Sequence, residues 1–177
     1  MQKKMDSIAI RQERQADQEA VYRLVTRAFE TAEQSDGNEQ DLVNALRKSD
    51  AFVPKLSLVA VLGEEIIGHI MFTELKVNDC VALALAPLSV LPKYQRSGVG
   101  SSLVEEGHRI ARALGYGYSV VLGSDAYYPR FGYVPAERFG IRSCFDVPRK
   151  NFMACKLRDD APAVTGVVKY ADEFGIG

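Results

Sequence analysis

The stretch LAPLSVLPKYQRSGVGSSLVEEG, residues 85–107, constrains the fold of this chain more than any other. An apolar run that begins at Cys80 ends at Pro92, and a basic, glycine-rich loop follows. The helix GVGSSLVEEGHRIARALG then runs to Gly115, a good C′ residue, and a second apolar run, YSVVLG, comes next. Strand, helix and strand in that order need a crossover, hence two parallel strands. Upstream, KLSLVAVLGEEIIGHIMFTELKV holds two β-rich runs around Gly63-Glu64, the spacing of a tight antiparallel hairpin. One sheet must accommodate both. The predicted class is α/β, a central mixed sheet flanked by helices.

Other segments fit that frame. SIAIRQER alternates as a short first strand. DQEAVYRLVTRAFE spaces Val21, Leu24, Val25 and Phe29 as a helix does, with Asp17 as its expected cap. TAEQSDGNEQ is a polar loop, and EQDLVNALRKS a second short helix carrying Leu42, Val43 and Leu46. SDAYYPRFGY reads as a compact turn closed by Gly132, and NFMACKL as the last strand. On the long helix, at roughly 100° per residue, Val99, Leu103, Ile110 and Leu114 share a face. His108 falls opposite Val99 and is expected in solvent. The tail beyond Asp159 has no assignment.

At 177 residues and 47% hydrophobic, the chain suits one domain over 1–177, with its core at about 8–157 and an uncertain tail over 160–177. The 22 basic and 23 acidic residues leave a net charge of −1, which gives no reason to expect nucleic acid. No apolar run approaches the roughly 20 residues of a membrane span. No secretory signal follows the two N-terminal lysines, so the expected compartment is the cytoplasm. Cys80, Cys144 and Cys155 are odd in number and widely spaced, and are expected reduced and buried, with no metal site.

Glycines between a strand and a helix usually let backbone N–H groups approach an anion. QRSGVGSSL lacks the lysine of the P-loop, and Leu103 stands where the dinucleotide fingerprint needs its third glycine. Gln95, Gly98 and Gly100 do fit [Q/R]xxGx[G/A]. A loop that merely needs glycine to enter a helix would give the same letters. If the loop is functional, the N–H groups from Arg96 to Ser101 would face a diphosphate at a helix N-terminus. The glycines would remove the Cβ atoms that hold it away.

This pattern resembles the acetyl-coenzyme A signature of the GNAT superfamily of N-acetyltransferases. The likeness extends over roughly residues 8–157, through VAVLGEEIIGHIMFTEL and LALAPLSVLPKYQRSGVGSSLV. VVLGSDAYYPRFGYVPA is similar to a bacterial branch in which a YYxRFGF-like segment recurs, with Tyr133 here in place of phenylalanine. The resemblance implies a sheet that splays after the coenzyme-binding strand. It also implies pantetheine contacts from the backbone of Ser89 and Val90, and a diphosphate held by Gln95, Arg96, Ser97, Gly98, Val99, Gly100 and Ser101. A tyrosine four residues before the Gly-aromatic pair, here Tyr128, would protonate the departing thiolate. A phenol, with a pKa of about 10, holds its proton at neutral pH. Tyr127 is expected to point elsewhere.

Acetyl transfer needs a neutral amine and a stabilised oxyanion, the latter from a backbone N–H near Val90. His69, Glu74 and Asp79 qualify as a base by residue type, and none is singled out. The acceptor, a small amine or a protein amino group, would approach over residues 28–47. There Glu30, Glu33, Asp36, Glu39 and Asp41 form either an acidic rim or an ordinary polar loop. The reading is acetyl-coenzyme A-dependent N-acetyl transfer, with a non-catalytic acyl-coenzyme A sensor as its rival. The oligomeric state is left open by the letters; an exposed edge strand or the unassigned tail could mediate a homodimer.

Overall fold

A computed structural model describes residues 8–30, 32, 35 and 37–175. In chain order, the elements on the amino side are β1 (Ile8–Gln12), α1 (Gln18–Phe29), α2 (Glu39–Arg47), β2 (Phe52–Leu62) and β3 (Glu65–Val77). Then come β4 (Cys80–Val90), α3 (Val99–Ala113), β5 (Tyr118–Leu122), β6 (Val134–Pro135), β7 (Ile141–Arg142), β8 (Phe152–Lys156) and β9 (Gly166–Lys169).

The sheet runs β1-β2-β3-β4-β5-β8-β6. It is mixed, as expected: β2 and β3 pair antiparallel from Leu62↔Glu65, whereas β4 and β5 pair parallel. That parallel ladder holds only Leu83↔Ser119 and Ala84↔Val120, after which the strands part. A bulge explains the parting. Between Ile70↔Leu88 and Phe72↔Leu85, β4 carries one residue more than β3, in the segment with Ala86 and Pro87. An inserted residue bends its strand, and Pro87 has no N–H for a neighbour.

Helix α3 covers one face of the sheet over Leu58, Ile70, Phe72 and Leu85. Helices α1 and α2 cover the other through Val21, Val25, Val43 and Leu46 against Val59 and Met71. The first turn of α3 lies close because β3 has glycine beneath it. A Cβ on Gly68 would stand 2.9 Å from Val99 Cγ1 and 3.0 Å from Leu103 Cδ1. This contact fixes the start of α3, and with it the preceding loop, against the sheet.

Several expectations need correction. The buried stripe of α3 is Val99, Leu103, Val104, Gly107, His108 and Ala111, while Leu114 is 40% exposed. The predicted face, Val99, Leu103, Ile110 and Leu114, lies along one edge of the true one. His108 is therefore buried, its Nε2 3.0 Å from the Tyr133 hydroxyl. Asp17 stands at the N-cap position of α1 as expected, but its side chain makes no capping bond to that helix, because it closes the 3-10 turn over Gln15–Asp17 that precedes it. Its carboxylate instead accepts from the Arg14 N–H at 2.7 Å and from Arg11 at 2.7 and 3.0 Å. Cys155 is buried and free as expected, but Cys144 is exposed. The strand over Phe152–Lys156 is not the last, since β9 pairs with β3 at Lys76 and Val77 and with β7.

Candidate functional site

Where β4 and β5 part, a groove of about 800 Å³ opens, lined by Leu88, Val90, the 94–101 turn and, opposite, Ala126, Tyr127 and Arg130. The Leu91 N–H donates to Ile67 O at 2.9 Å, towards β3. Alternation along the strand then directs the N–H and C=O of Val90 to the other side, which β5 has left. Ser89 lies the other way round: its backbone faces β3, and its buried side chain lies on the α1/α2 face with His69.

The turn is built from backbone. Gln95 N–H reaches Pro92 O at 3.4 Å and Ser102 N–H reaches Gly98 O at 3.0 Å. Between them, the N–H groups from Arg96 to Ser101 make no backbone hydrogen bond among the described residues. Arg96 (φ 62°) and Gly98 (φ 90°) are both left-handed. Such alternation wraps successive N–H groups into a concave nest for anions. The left-handed state costs a non-glycine residue about 1–3 kcal/mol, so Arg96 is held there by its surroundings. Gln95, which itself lines the groove, braces the turn, its Nε2 donating to Val90 O at 3.1 Å, and Ser97 Oγ bonds to Tyr94 O. Gly98 caps α3, so the positive end of a fifteen-residue helix faces the same groove.

The opposite wall differs from expectation. Tyr127, expected to point elsewhere, reaches across: its hydroxyl is 2.6 Å from where a Cβ on Gly100 would be. Arg130 stacks on the Tyr127 ring with 4.7 Å to its centroid and donates from Nε to Tyr127 O at 3.0 Å. The groove lining holds the cations Arg96 and Arg130 and, among the described residues, no carboxylate. Tyr128 lies on the 3-10 turn Tyr128–Phe131, closed by left-handed Gly132. Its ring covers Gly123, where a Cβ would meet Tyr128 Cε2 at 2.5 Å, and packs edge-on against Tyr133. Burial, more than the neighbouring Tyr127, pushes the Tyr128 phenol well above its ordinary pKa. Sequence reasoning passed over Tyr127 and Arg130, although Arg130 stands in the quoted motif, because spacing favoured one tyrosine and exposure suggested none.

The base candidates separate. Asp79 is exposed in the β3–β4 turn, and Glu74 is engaged by the Tyr116 hydroxyl at 2.6 Å, both far along β3 from Gly68. His69 is fully buried beside Ser57 and Glu13. Of the acidic rim, Glu33 and Asp36 lie outside the described residues. Glu30 and Glu39 line a cavity of about 280 Å³ between α1 and α2, and Asp41 accepts from the Tyr22 hydroxyl at 3.0 Å. Among the described residues no group of three or more His, Cys, Asp or Glu is placed to hold a metal, and no helix is long and apolar enough to cross a membrane.

Comparison with known proteins is specific. Residues 18–133 match the model of the acetyltransferase (GNAT) family. The uncharacterized N-acetyltransferase YhbS of Escherichia coli is 36% identical over 169 residues, 93% of this chain and 97% of that protein. The uncharacterized N-acetyltransferase YjhQ of the same species is 32% identical, over 89% of this chain and 88% of its own length. Among solved structures, YhbS in complex with CoA superposes with a TM-score of 0.86 at 33% identity, covering 96% of this chain and 92% of that one. A GNAT family acetyltransferase from Brucella melitensis in complex with acetyl-CoA gives a TM-score of 0.79 at 31% identity, covering 94% and 97%.

Proposed function

The chain belongs to the GNAT acetyltransferase family, and from that premise we propose that it moves an acetyl group from acetyl-coenzyme A to a primary amine by direct attack on the thioester. The observation that carries this reading is the 94–101 turn: free N–H groups, a helix N-terminus and two cations facing a groove at the split in the sheet. Its chemistry suits a diphosphate, and the relatives crystallised with CoA and acetyl-CoA support the identity of the ligand. We read the whole chain as one such domain, working in the cytoplasm.

In the mechanism, Gln95 to Ser101 hold the diphosphate, with Gln95 bracing the turn. Val90 offers its N–H, and the second lone pair of a C=O that already accepts from Gln95, to the pantetheine amides along the open edge of β4, while Ser89 borders that edge from the other face. The amine nitrogen bonds to the thioester carbon, and a backbone N–H of β4 near Val90 stabilises the oxyanion. The C–S bond breaks with its electron pair on sulfur, Tyr128 supplies the proton to that thiolate, and the proton shed by the nitrogen leaves to water, from which the phenol is reprotonated. Burial keeps that phenol protonated across the working pH range. Tyr127, whose hydroxyl stands over Gly100, has a binding role.

The test pairs calorimetric titration with acetyl-coenzyme A and thiol release in the presence of a panel of primary amines. Tyr128→Phe should leave coenzyme affinity intact and lower kcat by roughly 10²–10⁴-fold, the usual range for a lost proton donor. Tyr127→Phe should weaken binding. If Tyr128→Phe turns over at the wild-type rate while Tyr127→Phe does not, the donor is Tyr127. Absence of saturable binding by the wild type would sink the reading altogether.

A further inference from the structure

The arginines of this chain fall into two groups. Arg11, Arg23, Arg47, Arg109, Arg149 and Arg158 each meet a carboxylate. Arg47 is the most committed of them: Nη2 reaches Glu13 Oε2 at 2.7 Å and Nε reaches Oε1 at 2.9 Å, and only 7% and 4% of the two side chains remain exposed. Ser57 and His69 complete that buried cluster, which staples α2 to the sheet. Arg130 belongs to the other group. It has no carboxylate partner among the described residues, and it lines the groove. A cation held there without a counter-charge asks for a ligand.

The local sequence explains how Arg130 is held. Tyr128–Phe131 is a 3-10 turn that contains Pro129, and Tyr127 stands at its N-cap. Residues three apart eclipse in such a turn, so YYPR lays the Arg130 side chain over Tyr127. Its Cζ sits 4.7 Å from the ring centroid, and Nε donates to Tyr127 O at 3.0 Å. The ring beneath is held as well. Tyr128 and Phe131 pack edge-on against it with centroids at 5.1 and 5.3 Å, and its hydroxyl stands over Gly100. The guanidinium plane is thus fixed on one face, while the side chain stays exposed. An arginine meant for a phosphate alone would keep both of its two-donor edges free. Here the edge that contains Nε is spent on Tyr127 O, and what is offered is a flat cationic face. Nucleobases stack on guanidinium planes as they do on aromatic rings.

We propose that the Arg130 guanidinium, laid on Tyr127, is the shelf on which the adenine ring of coenzyme A stacks, so that the donor is recognised by its nucleotide as well as by its diphosphate. The proposal rests on the acetyl-transfer reading for the identity of the ligand. The order of parts along the groove agrees with it. In that reading pantetheine follows Val90 and the diphosphate sits at the 94–101 turn. Tyr127 then spans from Gly100, in the first turn of α3, to Arg130, one ring further on. In the coenzyme, adenosine follows the diphosphate directly. Tyr127, Arg130 and adenine make a three-layer stack, with the cation between two π-faces. The consequence is a choice of donor. A pantetheine thioester without a nucleotide, whether free or carried on a protein, forfeits the outer layer and binds less tightly.

Binding alone tests the shelf, with no turnover needed. The probes are CoA, dephospho-CoA and 4′-phosphopantetheine, and the proteins are the wild type, Arg130→Met and Arg130→Lys. Calorimetry reads the two nucleotides, and ligand-observed NMR reads the weaker phosphopantetheine. Lysine restores the charge but not the plane. Both variants should bind CoA and dephospho-CoA about 3–10-fold more weakly than the wild type, and within about twofold of each other. Their affinity for 4′-phosphopantetheine should stay within about twofold of the wild-type value. An Arg130→Lys protein with wild-type affinity for CoA would reduce the role of Arg130 to charge. A loss seen with CoA and absent with dephospho-CoA would assign Arg130 to the 3′-phosphate. An equal loss with 4′-phosphopantetheine would assign it to the other end of the ligand. Each of these three results overturns the shelf and leaves the acetyl-transfer reading standing. A wild type that binds none of the probes brings down that reading, and the shelf with it.

Discussion

The 94–101 turn and the Glu13–Arg47–Ser57–His69 cluster lie on opposite sides of one sheet and are made from different material. The turn is exposed, contiguous and made of backbone N–H groups that two left-handed residues curve into a nest. The cluster is buried, drawn from residues 13, 47, 57 and 69, and made of side chains. A backbone site depends on what is missing, the Cβ atoms at Gly98 and Gly100. A buried side-chain site depends on every partner being present. Ligand binding should therefore fail without unfolding on one side, and folding should fail first on the other.

Gly100→Glu has the largest expected effect. A side chain and a negative charge would occupy the space where the Tyr127 hydroxyl already stands 2.6 Å from the missing Cβ, against any diphosphate. Acetyl-coenzyme A binding should become undetectable by calorimetry. Stability should hold or rise slightly, since an acidic group in a helix's first turn is favourable by about 0.3–1 kcal/mol. A Gly100→Glu protein that is itself unfolded by urea at a much lower midpoint would show that the turn is structural. Arg47→Ala comes next. It leaves Glu13 buried without its cation, and breaking such a pair costs roughly 3–5 kcal/mol. Urea unfolding measures this, and a loss below about 1 kcal/mol would mean that water already reaches Glu13.

The pair of buried histidines gives a graded test. Burial is the main cause that lowers both His69 and His108 to about 4, and Arg112 adds to it at His108. A folded-state pKa below the unfolded value of about 6.5 means that the unfolded chain binds the proton first. Stability should be complete above about pH 6.5 and fall as pH drops towards 4, by on the order of 2–3 kcal/mol per histidine. His108→Gln should flatten part of that slope by removing the buried ring bonded to Tyr133. An unchanged slope would locate the acid sensitivity elsewhere, and not at Asp17: Arg11 holds that carboxyl below its usual range, so its contribution is lost only below about pH 4.

The same division explains what could be read from the letters. Gly63-Glu64, Pro92, Gly98, Gly100 and Gly115 each act within a few residues, and the hairpin, the crossover and the turn followed from them. The resemblance carried by Gln95–Gly100 and Tyr128–Tyr133 pointed to the family, which the match over 18–133 establishes. His69 and His108 were misplaced or left open because their environments come from distant segments: Glu13 and Ser57 for one, Ser119 and Tyr133 for the other. β9 was missed because four residues that pair at the end of β3 carry too short a pattern to stand alone. The reach of Tyr127 to Gly100 was not legible, since Pro129 leaves the turn irregular and the ring direction depends on packing.

Arg130 probes the boundary between the two kinds of site, with the smallest effect. Its guanidinium lies over the Tyr127 ring and faces the groove, yet the side chain is exposed, so water and salt weaken its charge. Replacing it with methionine keeps an unbranched stem on the ring and removes the cation. Acetyl-coenzyme A affinity should fall about 3–10-fold, roughly 1 kcal/mol, which is the scale of an exposed ion contact plus an exposed cation–π contact. The decisive readout is salt: between low and high ionic strength, affinity should fall more steeply in the wild type than in Arg130→Met. A deficit beyond about 100-fold would mean that this wall grips the coenzyme as firmly as the backbone turn does. The groove would then be a side-chain site like the one beneath α1, and the contrast between the two faces would be lost.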